Sequence, residues 1–398
     1  MKSLNRHILH SEIQDYIFKK SDEKADITKL ILSGSPFKNI PIQELAQQIH
    51  GRIKARQKLP LWHLTKGIYY PPTLHLEQTS SEVTAMYKSD LISGDTLIDI
   101  TGGFGIDDYY FSKKVKQLIH CELNPKLSEI AVHNFSILKA TNIISHATDG
   151  LQVLEHLATV DWIYIDPSRR HDRLGKVFFL EDCLPDVPTN LDLLFSKSNN
   201  ILIKTSPLLD IQAGIRSLAY VREIHIVALN NEVKELLWVL TKGNEDGIMV
   251  KTINSTKKQN MTFSFLLKEE NQTIPQLSLP KKYLYEPNAT IMKAGGFYSI
   301  AKAYELEKLH LHSHLYTSDR NIEFPGRKFE IISTIPYQKQ LLKKEKITKA
   351  NITTRNFPET VSNIRKKFKI KDGSDLYLFF TTNCNNEKIV LFCNKMVE

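Results

Sequence analysis

A glycine cluster follows a short apolar run near residue 100, in the sequence DITGGFGID. Glycines directly after a strand let the backbone turn sharply and approach a ligand closely. A dinucleotide site has the spacing GxGxxG, with a pyrophosphate at the N-terminus of the next helix. Here Asp107 and Asp108 follow the turn instead, and their charge would repel a pyrophosphate but suits a cationic ligand. The turn therefore predicts a zwitterionic sulfonium cofactor rather than a dinucleotide.

Two more acidic residues stand where later strands are expected to end. Glu122 closes the run LIHCE, where a carboxylate can accept hydrogen bonds from both hydroxyls of a ribose. Asp149 in ATDGLQVL is placed to accept one from an adenine amine. Each alone is also explained as a solvated or helix-capping acid, but with the glycine turn they predict a nucleoside cofactor. The residues predicted to bind it here are Asp99, Thr101, Gly102, Gly103, Phe104, Gly105, Glu122, Asp149, Gly150 and Asp166.

The sequence DPSRR follows the apolar run VDWIYI and is the sharpest candidate for chemistry. Asp166 would lie where substrate and cofactor meet, at the end of its strand. Pro167 fixes a turn, and two arginines can clamp a phosphate or stack on a base. An ordinary Asp-Pro turn is the alternative interpretation. The residues predicted to act on the substrate are Asp166, Pro167, Ser168, Arg169 and Arg170.

Strand-like apolar runs alternate with helical segments from residue 96 onward. The runs are TLIDIT, KQLIHCE, VDWIYID, NNILIKT, EIHIVAL and MTFSFLL. This alternation predicts an α/β fold, with a parallel sheet that carries helices on both faces and brings the strand ends to one edge. The last run follows polar turns, which leaves it free to be antiparallel. Residues 1 to about 65 are predicted to be helical, from the spacing of apolar residues in IQELAQQIHGRI.

The last third of the chain carries all of the excess positive charge. The formal net charge is +9, and residues 275–398 contain 21 Lys and Arg against 12 Asp and Glu. Since basic contacts to phosphate release counterions, this part predicts a polyanion partner, with a solubilising surface as the alternative. Strands alternate here with the basic helix PETVSNIRKKFK, as in a small α+β module. The stretches KKEKITK and RKKFKIK are better RNA-contact candidates than the nearby aromatic residues, which are expected to pack in the core: Phe368, Tyr377, Phe379 and Phe380.

Composition excludes several classes of protein. No apolar run approaches the roughly 18 residues that a membrane span needs, and the charged N-terminus lacks a signal-peptide core. The four cysteines have no CxxC spacing, so we expect free thiols, no structural metal and a cytoplasmic location. The run HLHSH would place His310, His312 and His314 on one face of a strand, where a surface strand is favoured over a metal site.

The motifs together resemble the class I S-adenosylmethionine-dependent methyltransferases. LIDITGGFG is similar to their glycine-rich first motif, Glu122 to their ribose-binding acid and Asp149 to their adenine-side acid. DPSRR stands at the place of the D/N-P-P-aromatic motif of amino-methyltransferases. More narrowly, the chain resembles a bacterial group of methyltransferases with a C-terminal THUMP-like module. The segments that carry this likeness from about residue 40 onward are YYPPTLHLEQTSSEVTA, DITGGFGID, IDPSRR, ILIKTSPLLD and NITTRNFP with IRKKFKIKDGSDLYLFFTT.

The resemblance implies a Rossmann-like, seven-stranded methyltransferase sheet that ends in an antiparallel strand. It implies a helical N-terminal region over 1–75, a methyltransferase domain over 76–270, a small ferredoxin-like domain over 275–322 and a THUMP-like, RNA-binding domain over 323–398. Ser80 and Ser81 would close over the cofactor, and Ser81 is counted among its ligands. Ser168 and Arg169 replace the second proline and the aromatic ring of the family motif, so base stacking would fall to arginine.

These features predict an S-adenosylmethionine-dependent methyltransferase that modifies a base of tRNA or rRNA. A methyltransferase acting on a protein or a small molecule is the first alternative, although a compact substrate would leave the basic module unexplained. An RNA-binding protein with a relic cofactor site is the second alternative. A dehydrogenase comes last, because the glycine turn lacks the dinucleotide spacing.

Overall fold

The computed structural model describes residues 4–169 and 179–396. The chain divides into two compact units. The first comprises Met1–Tyr220 with Trp238–Asn244, and the second comprises Val221–Leu237 with Glu245–Glu398. The predicted glycine turn, acidic residues and DPSRR motif belong to the first unit, and the basic C-terminal segments belong to the second.

Helices occupy the N-terminal region and recur between the strands, as the apolar spacing predicted. Three short 3₁₀ turns cover Arg6–Leu9, Leu180–Asp182 and Pro188–Asn190. The α-helices are α1 Ser11–Asp22, α2 Ile27–Ser33, α3 Ile42–Lys58, α4 Pro60–Leu64, α5 Thr73–Gln78, α6 Glu82–Ser89, α7 Ile106–Phe111, α8 Pro125–Ile137, α9 Gly150–His156, α10 Leu191–Lys197, α11 Ile211–Ser217, α12 Leu267–Glu270, α13 Ala289–Ala294, α14 Phe297–Ala303, α15 Lys339–Lys344 and α16 Val361–Phe368.

The six apolar runs predicted to be strands all form strands, and further strands occur between and after them. They are β1 Thr96–Asp99, β2 Gln117–Cys121, β3 Ile143–His146, β4 Trp162–Ile165, β5 Ser168–Arg169, β6 Cys183–Leu184, β7 Asn200–Thr205, β8 Val221–Leu229, β9 Glu232–Thr241, β10 Met249–Ser255, β11 Asn260–Leu266, β12 Tyr283–Pro287, β13 Glu307–Lys308, β14 Tyr316–Ser318, β15 Gly326–Pro336, β16 Asn351–Arg355, β17 Leu376–Thr382 and β18 Lys388–Lys395.

In the first sheet, β1 lies between parallel neighbours on both sides. β1 pairs with β2 and with β4, β2 pairs with β3, and β4 pairs with β7, all in parallel. All four residues of β4 are buried, as expected for a strand that helices cover on both faces. The carboxyl ends of these strands therefore lie along one edge, which is where the predicted site residues begin.

Over the described residues this sheet has nine strands, in the order β11-β10-β8-β9-β7-β4-β1-β2-β3, rather than the seven that the resemblance implied. The strands absent from the sequence prediction are β3, β9 and β10. β9 lacks the alternation of a half-exposed strand, because Leu236 to Leu240 are buried on both faces. Such a run cannot be distinguished from a buried helix by periodicity. The antiparallel placement of β11 beside β10 is confirmed.

The N-terminal helices share one hydrophobic core with the helices that follow the glycine turn. Trp62 of α4 is 1% exposed and packs edge-to-face on Tyr109 of α7, with ring centroids 4.9 Å apart. The same core includes Ile49 of α3 and Ile130 of α8. Burying these side chains against α7 and α8 fixes the helices behind the turn, so the N-terminal region supports the site physically.

The second unit contains a seven-stranded sheet in the order β13-β14-β12-β15-β18-β17-β16. β12 pairs with the first half of β15, and β18 pairs along β15 from Phe329 to Pro336. Of the predicted aromatic residues, Phe379 and Phe380 are fully buried on β17, which confirms their place in the core. No helix within the described residues is long and apolar enough to cross a membrane.

Candidate active site

The glycine turn leaves β1 and leads into α7 through two residues in the left-handed region. Gly103 has a φ of +56° and Gly105 a φ of +79°, a conformation that glycine adopts without steric cost. The amide of Gly102 donates to the carbonyl of Cys121 at 2.8 Å, which ties the turn to the end of β2. The turn is therefore held at the carboxyl edge of the sheet.

The glycines of the site differ in what surrounds them. A Cβ on Gly102 would lie 2.1 Å from Nδ1 of His120, one on Gly105 would lie 2.3 Å from the ring of Phe135, and one on Gly150 would lie 2.4 Å from the carbonyl oxygen of Ile100. These three glycines are required by packing inside the protein. A Cβ on Gly103 would meet nothing closer than 3.8 Å, so only this glycine faces open space.

Glu122 is connected directly to the glycine turn. Its Oε2 accepts a hydrogen bond from the amide of Gly103 at 2.9 Å, and its Oε1 accepts one from the amide of Asn124 at 2.7 Å. An ionised carboxylate has about four lone-pair positions, so both oxygens keep the capacity to accept further donors. The predicted ribose-binding acid is thus fixed beside the one glycine that faces open space.

Asp149 caps the first turn of α9. Its Oδ1 accepts a hydrogen bond from the amide of Leu151 at 2.9 Å, so the helix-capping interpretation applies to this oxygen. The side chain is half-buried and follows β3, the edge strand next to β2. Gly150 begins α9 and is buried against Ile100.

Asp99, Thr101 and Asp166 form a continuous hydrogen-bonded connection between the ends of β1 and β4. Oδ1 of Asp99 accepts from the amide of Thr101 at 2.7 Å and from its hydroxyl at 3.0 Å. The hydroxyl oxygen of Thr101 in turn accepts from the amide of Asp166 at 2.7 Å. The threonine hydroxyl therefore positions the backbone of the predicted catalytic aspartate.

Asp166 is paired with a residue that sequence reasoning did not single out. Nζ of Lys204, near the end of β7, donates to Oδ2 of Asp166. The lysine side chain is 13% exposed and that of the aspartate 35% exposed. A lysine in the apolar strand NILIKT was the available signal, because a charge is costly in a buried strand unless it is paired. Oδ2 of Asp166 is thus held by Lys204, while part of the aspartate side chain remains accessible.

Asp107 does not face a cationic ligand as the sequence suggested. Its Oδ2 accepts hydrogen bonds at 2.8 Å from the hydroxyls of Ser80 and Tyr164, and its Oδ1 lies 3.2 Å from Nζ of Lys88. Burial raises the pKa of Asp107, but Lys88, Lys204 and these hydroxyls outweigh it and hold the pKa below its ordinary value. The negative charge is therefore neutralised inside the protein, by a fully buried lysine that the sequence pattern did not reveal.

Asp108 is also internal, and it has a different environment from that of Asp107. The carboxylate is fully buried, and its Oδ2 contacts Nδ1 of His120 at 2.5 Å. Burial raises the pKa of Asp108 well above its ordinary range. The pKa of Asp99 is also raised well above its ordinary range, mainly by burial and then by the negative charge of Asp108. The pKa of His120 is lowered by burial. A group of titratable side chains thus lies beneath the glycine turn.

The remaining predicted residues are spread around this edge. Pro167 is buried, and Ser168 begins β5, which pairs with β6 in an antiparallel ribbon. Arg169 ends β5, and Arg170 lies outside the described residues. Ser81 is the N-cap of α6 in a capping box with Thr84, whereas the side chain of Phe104 is buried in the core.

The three histidines of HLHSH do not lie on a strand. They follow β13 in a turn, with φ of +51° at His314, whose ring stacks on Phe297 at 3.6 Å between centroids. The prediction of a strand here was wrong, because β13 ends at Lys308 before the histidines begin. No cluster of three or more candidate metal ligands occurs among the described residues.

The two basic stretches of the C-terminal module are neighbours in the second unit. Lys349 and Lys371 form a parallel bridge, with the amide of Lys371 donating to the carbonyl of Thr348 at 2.9 Å. Arg365 and Lys367 are engaged within the domain, with Asp372 and Glu359 respectively. The exposed lysines of the two stretches are Lys343, Lys344, Lys346, Lys349, Lys366, Lys367, Lys369 and Lys371.

Comparison with solved structures identifies one relative of full length. The crystal structure titled "putative methyltransferase from Porphyromonas gingivalis W83" matches with a TM-score of 0.88 and 31% sequence identity, over 100% of both chains. TrmK of M. capricolum in complex with S-adenosyl-homocysteine matches at 15% identity over 40% of this chain and 68% of that one, with a TM-score of 0.31. A methyltransferase from Geobacter sulfurreducens matches at 14% identity over 40% and 78%, with a TM-score of 0.30. With TM-scores this low, the similarity to these last two proteins supports no conclusion about the present chain.

Family models match the C-terminal part of the chain. A ferredoxin-like domain model matches residues 283–325, and a THUMP domain-like model matches residues 326–395. No curated protein matches the chain. Given the full-length relative, the chain belongs to the family of the Porphyromonas gingivalis protein, the methyltransferase group with C-terminal ferredoxin-like and THUMP-like domains, as the motifs predicted.

Proposed function

We propose that this protein is an S-adenosylmethionine-dependent methyltransferase whose substrate is RNA. The observation that carries the proposal is the hydrogen bond from the amide of Gly103 to Glu122, which joins the glycine turn to the predicted ribose-binding acid. The full-length family relationship supports the methyltransferase class. The THUMP domain-like match and the exposed lysines support RNA as the partner.

The residues present fit a nucleoside cofactor at the edge of the sheet. Glu122 would bind the ribose hydroxyls with the free capacity of its two oxygens, and Gly103 would allow close approach of the ligand. Asp149 would accept from the adenine amine, through the lone pairs that its capping bond leaves free. S-adenosylmethionine, when bound, supplies an electrophilic methyl group on a sulfonium.

Asp166 is the residue we assign to the acceptor. Methyl transfer is an in-line displacement, and it depends on alignment more than on a strong acid or base. Lys204 and the Thr101 hydroxyl hold Asp166 at one oxygen and at its backbone amide. Its accessible part would accept a hydrogen bond from the nucleophile and orient it. Pro167 and Ser168 continue the chain from this point and would form the adjoining wall.

Transfer of labelled methyl from S-adenosylmethionine tests the function directly. The acceptor is total RNA from a strain that lacks the gene, and RNA from the wild-type strain is the control. Label entering only the RNA from the deletion strain supports the proposal, and nuclease mapping then gives the base in tRNA or rRNA. The Asp166→Ala variant should lose transfer at least about a hundredfold, because the acceptor is no longer aligned.

Two other results would redirect the proposal. Cofactor binding without label in RNA would favour a protein or small-molecule acceptor, for which no particular observation argues now. Wild-type transfer by Asp166→Ala would exclude the role assigned to that side chain. The cofactor itself is tested separately by calorimetry with S-adenosyl-homocysteine, in wild type and in Glu122→Gln.

A further inference from the structure

Two sequence motifs outside the candidate active site meet in the second unit. HLHSH follows β13 in the part matched by the ferredoxin-like model, and TTRN ends β16 in the part matched by the THUMP-like model. Nε2 of His310 lies 3.1 Å from Oδ1 of Asn386, and its Nδ1 lies 2.9 Å from Nδ2 of Asn356. The two motifs are therefore joined by one direct hydrogen bond, between His310 and Asn356.

At this place two arginines converge on a single buried carboxylate. Glu286 of β12 is 3% exposed, and its Oε2 accepts from Nε of Arg327 at 2.6 Å. Its Oε1 accepts from Nη2 of Arg355 at 2.9 Å. Two guanidinium groups against one carboxylate leave a positive charge uncompensated. The side chains of Arg327 and Arg355 are 40% and 35% exposed, so part of each side chain remains accessible from outside.

The neighbouring His314 experiences this excess charge. Burial lowers the pKa of His314 to about 4, and the positive charges of Lys308, Arg355 and His312 contribute to the same shift. His314 is therefore uncharged at neutral pH. The imidazole can take part in hydrogen bonds here without adding a charge of its own.

Three enclosed polar atoms in the same cluster lack hydrogen bonds within the described part of the chain. They are Nε of Arg355, Nδ1 of His314 and the hydroxyl oxygen of Thr381, which pairs with Arg355 across the two strands. Enclosed polar atoms are nearly always hydrogen-bonded in folded proteins. Three exceptions around one arginine indicate a site whose hydrogen bonding is incomplete in the protein alone.

We propose that the cluster of Glu286, Arg327, Arg355 and His314 binds a phosphate group of RNA. A guanidinium fork matches two phosphate oxygens, and Glu286 holds both forks in place before a ligand arrives. The exposed lysines in the same unit make a polyanion the fitting source of that phosphate. The identification of RNA rests on the proposed function, whereas the preference for a phosphate rests on the geometry of the cluster.

The experiment titrates the full-length protein with inorganic phosphate, and with one short RNA bearing either a 5′-phosphate or a 5′-hydroxyl. Binding is followed at constant ionic strength by the NMR signals of arginine Nε and histidine rings, and by calorimetry. The variant Arg355→Gln removes one fork and keeps the pair of Arg327 with Glu286. Arg320→Ala is the matched control, since Arg320 is 62% exposed and pairs with Glu305 at the surface of the same unit.

We expect phosphate and RNA to shift the signals of Arg327, Arg355 and His314 in wild type. Arg355→Gln should bind RNA about tenfold more weakly, as loss of a charge-assisted contact predicts, and Arg320→Ala should bind as wild type does. If Arg355→Gln weakens the binding of the 5′-phosphorylated RNA alone, the cluster binds a terminal phosphate. If it weakens the binding of both RNAs, the cluster binds an internal phosphate.

Three results would overturn the proposal. The first is a phosphate titration that leaves the arginine and histidine signals of wild type unchanged, which needs no variant to fold. The second is an RNA affinity equal to that of wild type in a folded Arg355→Gln variant. In that case the cluster would only hold the ferredoxin-like and THUMP-like segments together. The third is binding of free phosphate but not of RNA. None of these measurements uses the cofactor, so a failure of methyl transfer would be recognised separately.

Discussion

At the scale of single residues, the candidate site depends on how each carboxylate is compensated. Asp107 keeps its charge beside a buried lysine, and Asp108 is favoured in its neutral form by burial. Asp166 is paired on one side with Lys204 and accessible on the other. Of these three acids, Asp166 combines a fixed position with access from outside, so it is the one best placed to meet a substrate.

Lys204 is expected to act as a positioning residue for Asp166. In Lys204→Met the carboxylate is free to rotate, and a misplaced catalytic group costs on the order of a hundredfold in rate. The measurement is single-turnover methyl transfer, together with calorimetry of S-adenosyl-homocysteine. The rate should fall while cofactor affinity stays within about twofold, with Lys204→Arg recovering part of the rate. Lys114→Met, which removes a surface ion pair with Asp90, is the control, and an equal loss there would contradict this role.

Asp108 should make the stability of the protein depend on pH in a defined direction. Its pKa in the folded state lies above the unfolded value, so its contribution is present at acid pH and is lost as pH rises through the folded-state pKa. In Asp108→Asn this loss is absent. We therefore expect the unfolding free energy of Asp108→Asn to rise relative to wild type between acid and neutral pH, as measured by urea denaturation. A constant difference across that range would exclude the raised pKa.

At the scale of elements, the turn between β1 and α7 is shaped by the helices behind it. α8 supplies Phe135, which fills the space that a side chain at Gly105 would need, and β2 supplies His120 beneath Gly102. Of the three glycines in the turn, only Gly103 has room for a Cβ. The same glycine-rich sequence therefore combines positions that serve packing with one position that serves a ligand.

Gly105→Ala should destabilise the protein mainly by steric overlap. The substitution combines a positive φ with a Cβ 2.3 Å from the ring of Phe135, and overpacking costs about 1 to 3 kcal/mol. Gly243→Ala is a matched control, because its φ is +78° and no atom lies within 4 Å of the added Cβ. The difference between their unfolding free energies, measured with urea, isolates the contact with Phe135. Equal losses would mean that backbone strain alone is responsible.

Gly103→Ala should affect ligand binding more than folding. The added methyl group meets nothing closer than 3.8 Å in the protein, so the stability loss should be limited to the positive φ, about 1 to 2 kcal/mol. The same methyl group would project toward the ligand beside Glu122. We expect affinity for S-adenosyl-homocysteine to fall about tenfold or more, as measured by calorimetry. Unchanged affinity in a folded variant would remove the cofactor from this position.

At the scale of the whole molecule, charge is divided between the two ends of the chain. Residues 1–274 carry 32 Lys and Arg and 32 Asp and Glu, so the net charge of +9 belongs to the last third. In the second unit the backbone pairing of Lys349 with Lys371 joins two basic stretches that are separate in sequence. The basic stretches therefore belong to the second unit, and the candidate active site belongs to the first.

Charge reversal at Lys349 and Lys371 should weaken RNA binding in a salt-dependent way. Each phosphate contact contributes about 0.7 to the slope of log affinity against log salt for single strands, so losing two should reduce the slope by about 1.4. The pair Lys19→Glu and Lys29→Glu reverses two exposed lysines of the first unit and serves as the control. Affinities at several salt concentrations provide the measurement. Equal effects of both pairs would indicate non-specific attraction.

Local sequence patterns were sufficient to predict several strand ends and the residues that stand there. Strong apolar runs followed by glycine or acid predicted β1, β2 and β4 with Glu122 and Asp166 at their ends, because local propensity and periodicity act within a few residues. Resemblance to a known family added the order of the domains, which local patterns do not encode.

The exposure of these residues and the partners that they have depend on packing in three dimensions. Lys88 and Lys204 compensate Asp107 and Asp166 from elements 19 and 38 positions away in the chain. The buried strand β9 and the meeting of HLHSH with TTRN also depend on packing between distant segments. Such contacts follow from burial and charge pairing in three dimensions, and a periodic pattern along one chain carries no record of them.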